Sequence, residues 1–118
     1  MAYFEFMVLP IPTANIAAYK KMVKGSAAAW KRVGALAYVE AIADDVKPGK
    51  LTSFPQSVKA KEGETVGCAY IMFKNKAHRN KCWKAIMQDP FMKNFDPKNM
   101  PFDGKRMYYG GFKPLVSF

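Results

Sequence analysis

The chain is predicted to fold as an α+β protein: a ferredoxin-like βαββαβ sandwich with a four-stranded antiparallel sheet and both helices on one face. Three observations carry that expectation. Apolar runs and helical periodicities alternate in the order strand, helix, strand, strand, helix, strand, which is the split β-α-β repeat. The strand segments are apolar on both faces, where a sheet with one wet face would alternate. With 118 residues, half of them hydrophobic, and no internal repeat or linker, the chain has room for one domain over 1–118.

The elements follow from local chemistry. AYFEFMVLP, residues 2 to 10, is rich in aromatic and branched residues and predicts a first strand ending at Pro10 and Pro12. Thr13 is placed to cap a helix in which Ile16, Tyr19, Val23, Ala27 and Trp30 recur at intervals of three and four, and Gly34 stops it. ALAYVEAIA, 35 to 43, predicts a second strand, followed by a turn at Pro48 and Gly49. The polar link EGE at 62–64 suggests a hairpin in which Val58 to Lys61 pairs with the strand from Thr65. KAHRNKCWKAIMQ, 76 to 88, predicts the second helix. A loop with one helical turn then leads to a last strand, KRMYYGGF at 105–112.

Composition narrows the function classes. Lys and Arg outnumber Asp and Glu by 19 to 9, a formal charge of +10 that serves solubility or draws nucleic acid and other acidic partners. The basic residues are scattered instead of forming one tail or stripe. Cys68 and Cys82 lack CxxC spacing, and His78 stands alone, so no metal site is expected and both thiols should be free and buried. The apolar start lacks a preceding basic region and is too short to span a bilayer, which leads to the expectation of a cytoplasmic protein with no membrane association.

In the third strand Val66, Cys68, Tyr70 and Met72 line one face, and Gly67, Ala69, Ile71 and Phe73 the other. Two helices cover only one sheet face. A bare apolar face of several hundred Å² is rare on monomers, so a second copy is expected to cover it, with Val66, Cys68, Tyr70 and Met72 in the interface of an isologous homodimer. VGCAYIMF also resembles an RNA-recognition strand, with Gly67, Ala69, Tyr70 and Phe73 in register. The solvent-facing positions of that motif would be Val66, Cys68 and Tyr70, which lack the basic residue and the first stacking aromatic. Such a face suits a dry interface better than a nucleic-acid platform.

GALAYVEAIADDV at 34–46, GKLTSFPQSVKAK at 49–61, AHR at 77–79 and above all MPFDGKRMYYGGF at 100–112 resemble the bacterial YbaA-like family, a domain of unknown function. The resemblance runs from Tyr3 to about Val116. It implies the dimeric α+β barrel superfamily, in which two ferredoxin-like sheets associate face to face. It also implies small-molecule pockets and, in some relatives, oxygenase or isomerase chemistry without a metal. The chain departs from the family pattern at Glu5 and Phe6, where that pattern has Asp-Gly, and at Tyr70, Lys74-Asn75, Asn80 and Phe91. These changes alter charge and pocket shape.

Several residues are candidates for chemistry. Glu5 and Glu40 each interrupt an apolar strand, where a carboxylate either pairs with a cation or serves as an acid or base. Arg79 points inward from the first turn of the second helix and is the natural partner for such a carboxylate, or else an anion clamp. His78 lies beside it near a helix N-terminus, and is read either as an anion-site residue or as a surface histidine. Arg106 is expected at the start of the last strand. Tyr108 and Tyr109 should point to opposite faces, with Gly110 and Gly111 allowing a bulge or a close approach. KNKAHRNKCWK is a solvated basic face with weak, nonspecific nucleic-acid affinity.

The sequence contains no nucleophile elbow, phosphate loop or dinucleotide fingerprint. The leading expectation is a homodimer that needs no cofactor and binds a small anionic or aromatic molecule through Glu5, Glu40, His78, Arg79, Arg106 and Tyr108, with catalysis left open. The alternatives are a nucleic-acid-binding module and a purely structural dimer.

Overall fold

A computed structural model describes residues 2–118. Its sheet has the order β2-β3-β1-β4, with β1 spanning Tyr3–Pro12, β2 Ala37–Ile42, β3 Glu64–Phe73 and β4 Tyr108–Phe112, every neighbouring pair antiparallel. Helices α1 (Ile16–Arg32) and α3 (Lys76–Ile86) lie on one face. This is the ferredoxin-like α+β sandwich expected from the order of elements.

β1 runs past its expected end at Pro10 to Pro12. The pairing with β4 stops at Val8, so beyond that residue β1 is bordered by β3 alone and proline is accommodated at a free edge. Thr13 does not cap α1. Its hydroxyl and its backbone N–H both donate to the Gly63 carbonyl, and a 3₁₀ turn at Thr13–Asn15 leads into the helix. Gly34 ends α1 as expected, at φ +104°.

The expected hairpin strand at Val58–Lys61 is absent. A single helical turn, α2 (Phe54–Ser57), precedes that segment and leads into a turn, because Ser53 accepts from the Gln56 N–H and Pro55 suits a first turn. Lys59 follows at φ 51°, which no strand allows. Val58, whose apolarity suggested a strand, is buried against Val8 and Val66. Asn75 caps α3 by accepting from the His78 N–H, and Asp89 caps α4 (Pro90–Lys93) by accepting from the Phe91 N–H.

The main core joins the sheet to the helices. Leu9, Ile11, Ile71 and Phe73 meet Tyr19, Ala29, Trp30, Cys82 and Ile86, each large side chain contributing about 1.5–3 kcal/mol by leaving water. Trp30 stands edge-on to both Phe73 and Trp83, at 5.9 and 5.0 Å. Gly67, part of the RNA-like motif, has a packing explanation: a Cβ there would come within 2.7 Å of Ile11 Cδ1. The opposite sheet face is only partly covered, at one end, by the Val8, Val58 and Val66 cluster. Of the two thiols expected to be free and buried, Cys82 alone is buried within the chain, and Cys68 is exposed.

Arg106 ties together the loops around it. It lies in a 3₁₀ turn, Gly104–Arg106, ahead of β4 instead of at the start of that strand. Its guanidinium donates to both oxygens of Glu64 at 2.7 Å, to Asp103 at 2.9 Å and to the Lys59 carbonyl at 2.9 Å. Hydrogen bonds from Arg106 hold the Glu64 and Asp103 carboxyls below the usual carboxylate range, and those from Arg32 do the same for Asp89. Lowered values mean that these pairs contribute fully above the ordinary carboxylate pKa of about 4 and lose their contribution as pH falls through the folded values. Thermal melts should therefore show stability falling below about pH 4, and Arg106→Ala should flatten that dependence. An unchanged pH slope in the variant would overturn this role of Arg106.

Candidate functional site between the sheet and the helices

β2 exposes Tyr38 and Glu40 on the helix-facing side because they are two residues apart, the period of a strand. Glu40 accepts from the Tyr38 hydroxyl at 2.6 Å on one oxygen and from the Tyr19 hydroxyl of α1 at 2.8 Å on the other. Tyr38 has one hydroxyl hydrogen and gives it to the carboxylate, so the Ser26 hydroxyl at 3.1 Å is the donor to Tyr38. Burial first, and then Glu40, pushes both phenols well above the usual tyrosine range. Both therefore remain donors at neutral pH.

This carboxylate opens into a cavity of about 220 Å³ between the sheet and the helices. Met7, Leu9, Trp30, Phe91, Phe102 and Met107 form much of its wall. Among the described residues, Glu40 is the one charged side chain that lines it.

A second polar cluster lies alongside. Glu5 is 1% exposed and accepts at one oxygen from Arg79 Nη1 at 2.8 Å and from the Trp83 indole N–H at 2.9 Å. Arg79 also lies over the Tyr3 ring, 5.1 Å from its centroid. Gly111 makes room for this arrangement, since a Cβ there would collide with the Tyr3 hydroxyl and come within 2.9 Å of Arg79. Trp83 stacks on Tyr109 and borders both the cavity and an outer notch formed with Glu5, Arg79 and Asn80.

The structure thus joins Arg79 to Glu5, one of the two carboxylates between which the sequence left its partner open, and places Glu40 in the cavity. His78 is held in a hydrogen-bonded chain: Nδ1 accepts from the Lys74 N–H at 3.0 Å, Nε2 lies 3.4 Å from Cys82 Sγ, and that thiol donates to the Val33 carbonyl. Burial pushes the Cys82 thiol up, so the contact is structural and not an activated Cys–His pair. Tyr108 points to the opposite sheet face and donates to Ser57 Oγ at 2.9 Å, whereas Tyr109 faces the helices. Among the described residues, no group of three or more His, Cys, Asp or Glu side chains is placed to hold a metal ion.

Sequence reasoning missed Tyr19, Ser26 and Tyr38 as polar partners of Glu40. The signal was present in the two-residue spacing of Tyr38 and Glu40 and in a buried tyrosine hydroxyl on α1 that needed an acceptor.

A family model described as a protein of unknown function (DUF1428) matches residues 2–104. The chain belongs to the DUF1428 family. Its relatives include the uncharacterized protein YbaA of Escherichia coli K12 and that of Shigella flexneri, each 41% identical over 116 residues and covering 98% of both chains. Among solved structures, this DUF1428 protein is similar to SnoaB, a cofactor-independent oxygenase from Streptomyces nogalater. The TM-score is 0.61 at 11% identity, over 98% of this chain and 95% of that one. It is also similar to Rv0793 from Mycobacterium tuberculosis, with a TM-score of 0.56 at 8% identity over 99% and 98% of the two chains. At such identities the likeness establishes the shared fold. No helix among the described residues is long and apolar enough to cross a membrane.

Proposed function

We propose that this DUF1428 protein is a homodimer of the α+β barrel kind that binds a small, largely apolar molecule in the cavity beside Glu40. Glu40 is proposed to accept a proton from that molecule without help from a metal or organic cofactor. The observation that carries the proposal is a lone carboxylate on an otherwise apolar wall, with each oxygen held by a phenolic donor. The fold shared with a cofactor-independent oxygenase is compatible with chemistry of this type.

The homodimer is supported by the open sheet face. Phe4, Phe6, Val39, Cys68, Tyr70, Met72, Tyr108 and Phe112 lie there, with Phe6 40%, Tyr108 46% and Phe112 56% exposed. Phe4, Phe6, Tyr70 and Phe112 form a continuous aromatic cluster with centroids 5.4–6.2 Å apart. Apart from Glu64 at the far end of β3, which is paired with Arg106, the strand positions on this face carry no charged side chain. Val66 belongs to this face but is buried by the chain's own Val58, so the interface proposed here is built on Cys68, Tyr70 and Met72.

The charge of +10 favours nucleic-acid binding as a second reading. Lys20, Lys21, Lys24 and Lys31, however, project from the outer side of α1, away from the sheet aromatics that would stack bases. Phosphate contacts and stacking would then need opposite faces of the molecule. Native mass spectrometry of freshly purified protein separates the readings. A dimer carrying a discrete small adduct is expected, and a monomer with heterogeneous RNA would overturn the proposal.

A further inference from the structure

From the protons at the polar end of the cavity we infer its ligand class: an apolar body ending in a hydrogen-bond donor, a hydroxyl or an amine, and not a carboxylate or phosphate. The inference rests on the cavity being a ligand site, and it narrows the expectation of an anionic or aromatic ligand. The hydrogens there are already committed. Tyr19 and Tyr38 give theirs to Glu40, Ser26 gives its own to Tyr38, and the Trp83 indole gives its own to Glu5. What remains open at that end is acceptor capacity. Each Glu40 oxygen accepts one of these bonds and can accept another, and the Tyr19 oxygen also has free lone pairs.

The Trp30 indole N–H is the one donor on the wall, among the described residues, without a partner within the chain. It is neutral and does not offset the Glu40 charge. Among the described residues no Lys, Arg or His lines the cavity, and Arg79, the candidate for an anion clamp, is paired with Glu5. An anionic ligand would therefore meet a carboxylate in a poorly solvated site with no counter-charge, whereas a hydroxyl or ammonium group meets two free acceptor positions.

The test uses four probes that share one ring system: 2-naphthol, 1-naphthylmethylamine, naphthalene and 2-naphthoate. Calorimetric titration of the full chain at neutral pH should give naphthol or the amine a Kd about tenfold or more below that of naphthoate, with naphthalene weaker than the better donor probe. The tighter of the two donor probes identifies the hydroxyl or the amine as the favoured group. Glu40→Gln should shrink the preference for donor over anion about tenfold. Lys24→Gln, on the outer side of α1 and away from the cavity, should keep the preference, and an unchanged circular dichroism spectrum of Glu40→Gln shows that this variant is folded. Naphthoate binding as tightly as naphthol would overturn the inference while leaving the cavity as a ligand site. Failure of all four probes to bind would overturn the cavity reading and the inference with it.

Discussion

Replacing Arg79 with methionine is expected to lower folding stability by about 3–5 kcal/mol, because Glu5 would remain buried with its counter-charge removed. Glu5 is 1% exposed and keeps only the Trp83 indole as a hydrogen-bond donor once Arg79 is gone. For a chain of this length the loss corresponds to a fall in Tm on the order of 10–20 °C. Packing loss over the Tyr3 ring contributes too, and methionine retains part of it. The double variant Glu5→Leu with Arg79→Met separates charge from packing. Where the penalty comes from a stranded carboxylate, removing that carboxylate as well should restore most of the stability, since apolar replacement of a buried pair is often neutral. A double variant as unstable as Arg79→Met alone would mean that the pair holds the fold mainly through packing, and would sink the electrostatic account.

The other large effect concerns assembly. A charge on the open sheet face, Cys68→Arg or Met72→Glu, should convert a dimer to a monomer, because the buried charge would face apolar neighbours across the two-fold axis without a partner. Cys68 is opposite Val8 near the middle of the ladder and Met72 is opposite Phe4 nearer one end, and both are on β3, which is flanked by a strand on each side. Light scattering at several protein concentrations reads the outcome. The wild-type dimer should also resist salt, since the face is apolar, and its Tm should rise with concentration. A variant that remains dimeric, or a dimer that dissociates steeply with added salt, would place the interface elsewhere.

Much of the architecture was legible before folding because it depends on short-range periodicity. The spacing of Ile16, Tyr19, Val23, Ala27 and Trp30 specified an amphipathic helix, and Tyr19 and Trp30 are indeed buried. The lack of alternation in β3 announced two apolar sheet faces. Arg79 as partner to a buried carboxylate was readable from the helix wheel. The segment around Val58 was misread because a lone valine between polar residues fits a strand or a covering loop equally well. The Ser53 cap and the backbone of Lys59 decided in favour of the loop.

By itself, then, the sequence determined the order of elements and which residues of a strand share a face. These depend on residue type and spacing along one chain. Tertiary structure alone decided which polar groups meet. Arg106 and Glu64 are 42 residues apart, Arg32 and Asp89 are 57 apart, and Tyr19 reaches Glu40 only because α1 lies across β2. Each of those pairings depends on how rigid elements are set side by side, and no local pattern encodes that angle. The cavity follows the same logic, since its walls come from α1, β1, β2, α3 and the loop after it, and only their packing leaves Glu40 facing an apolar space.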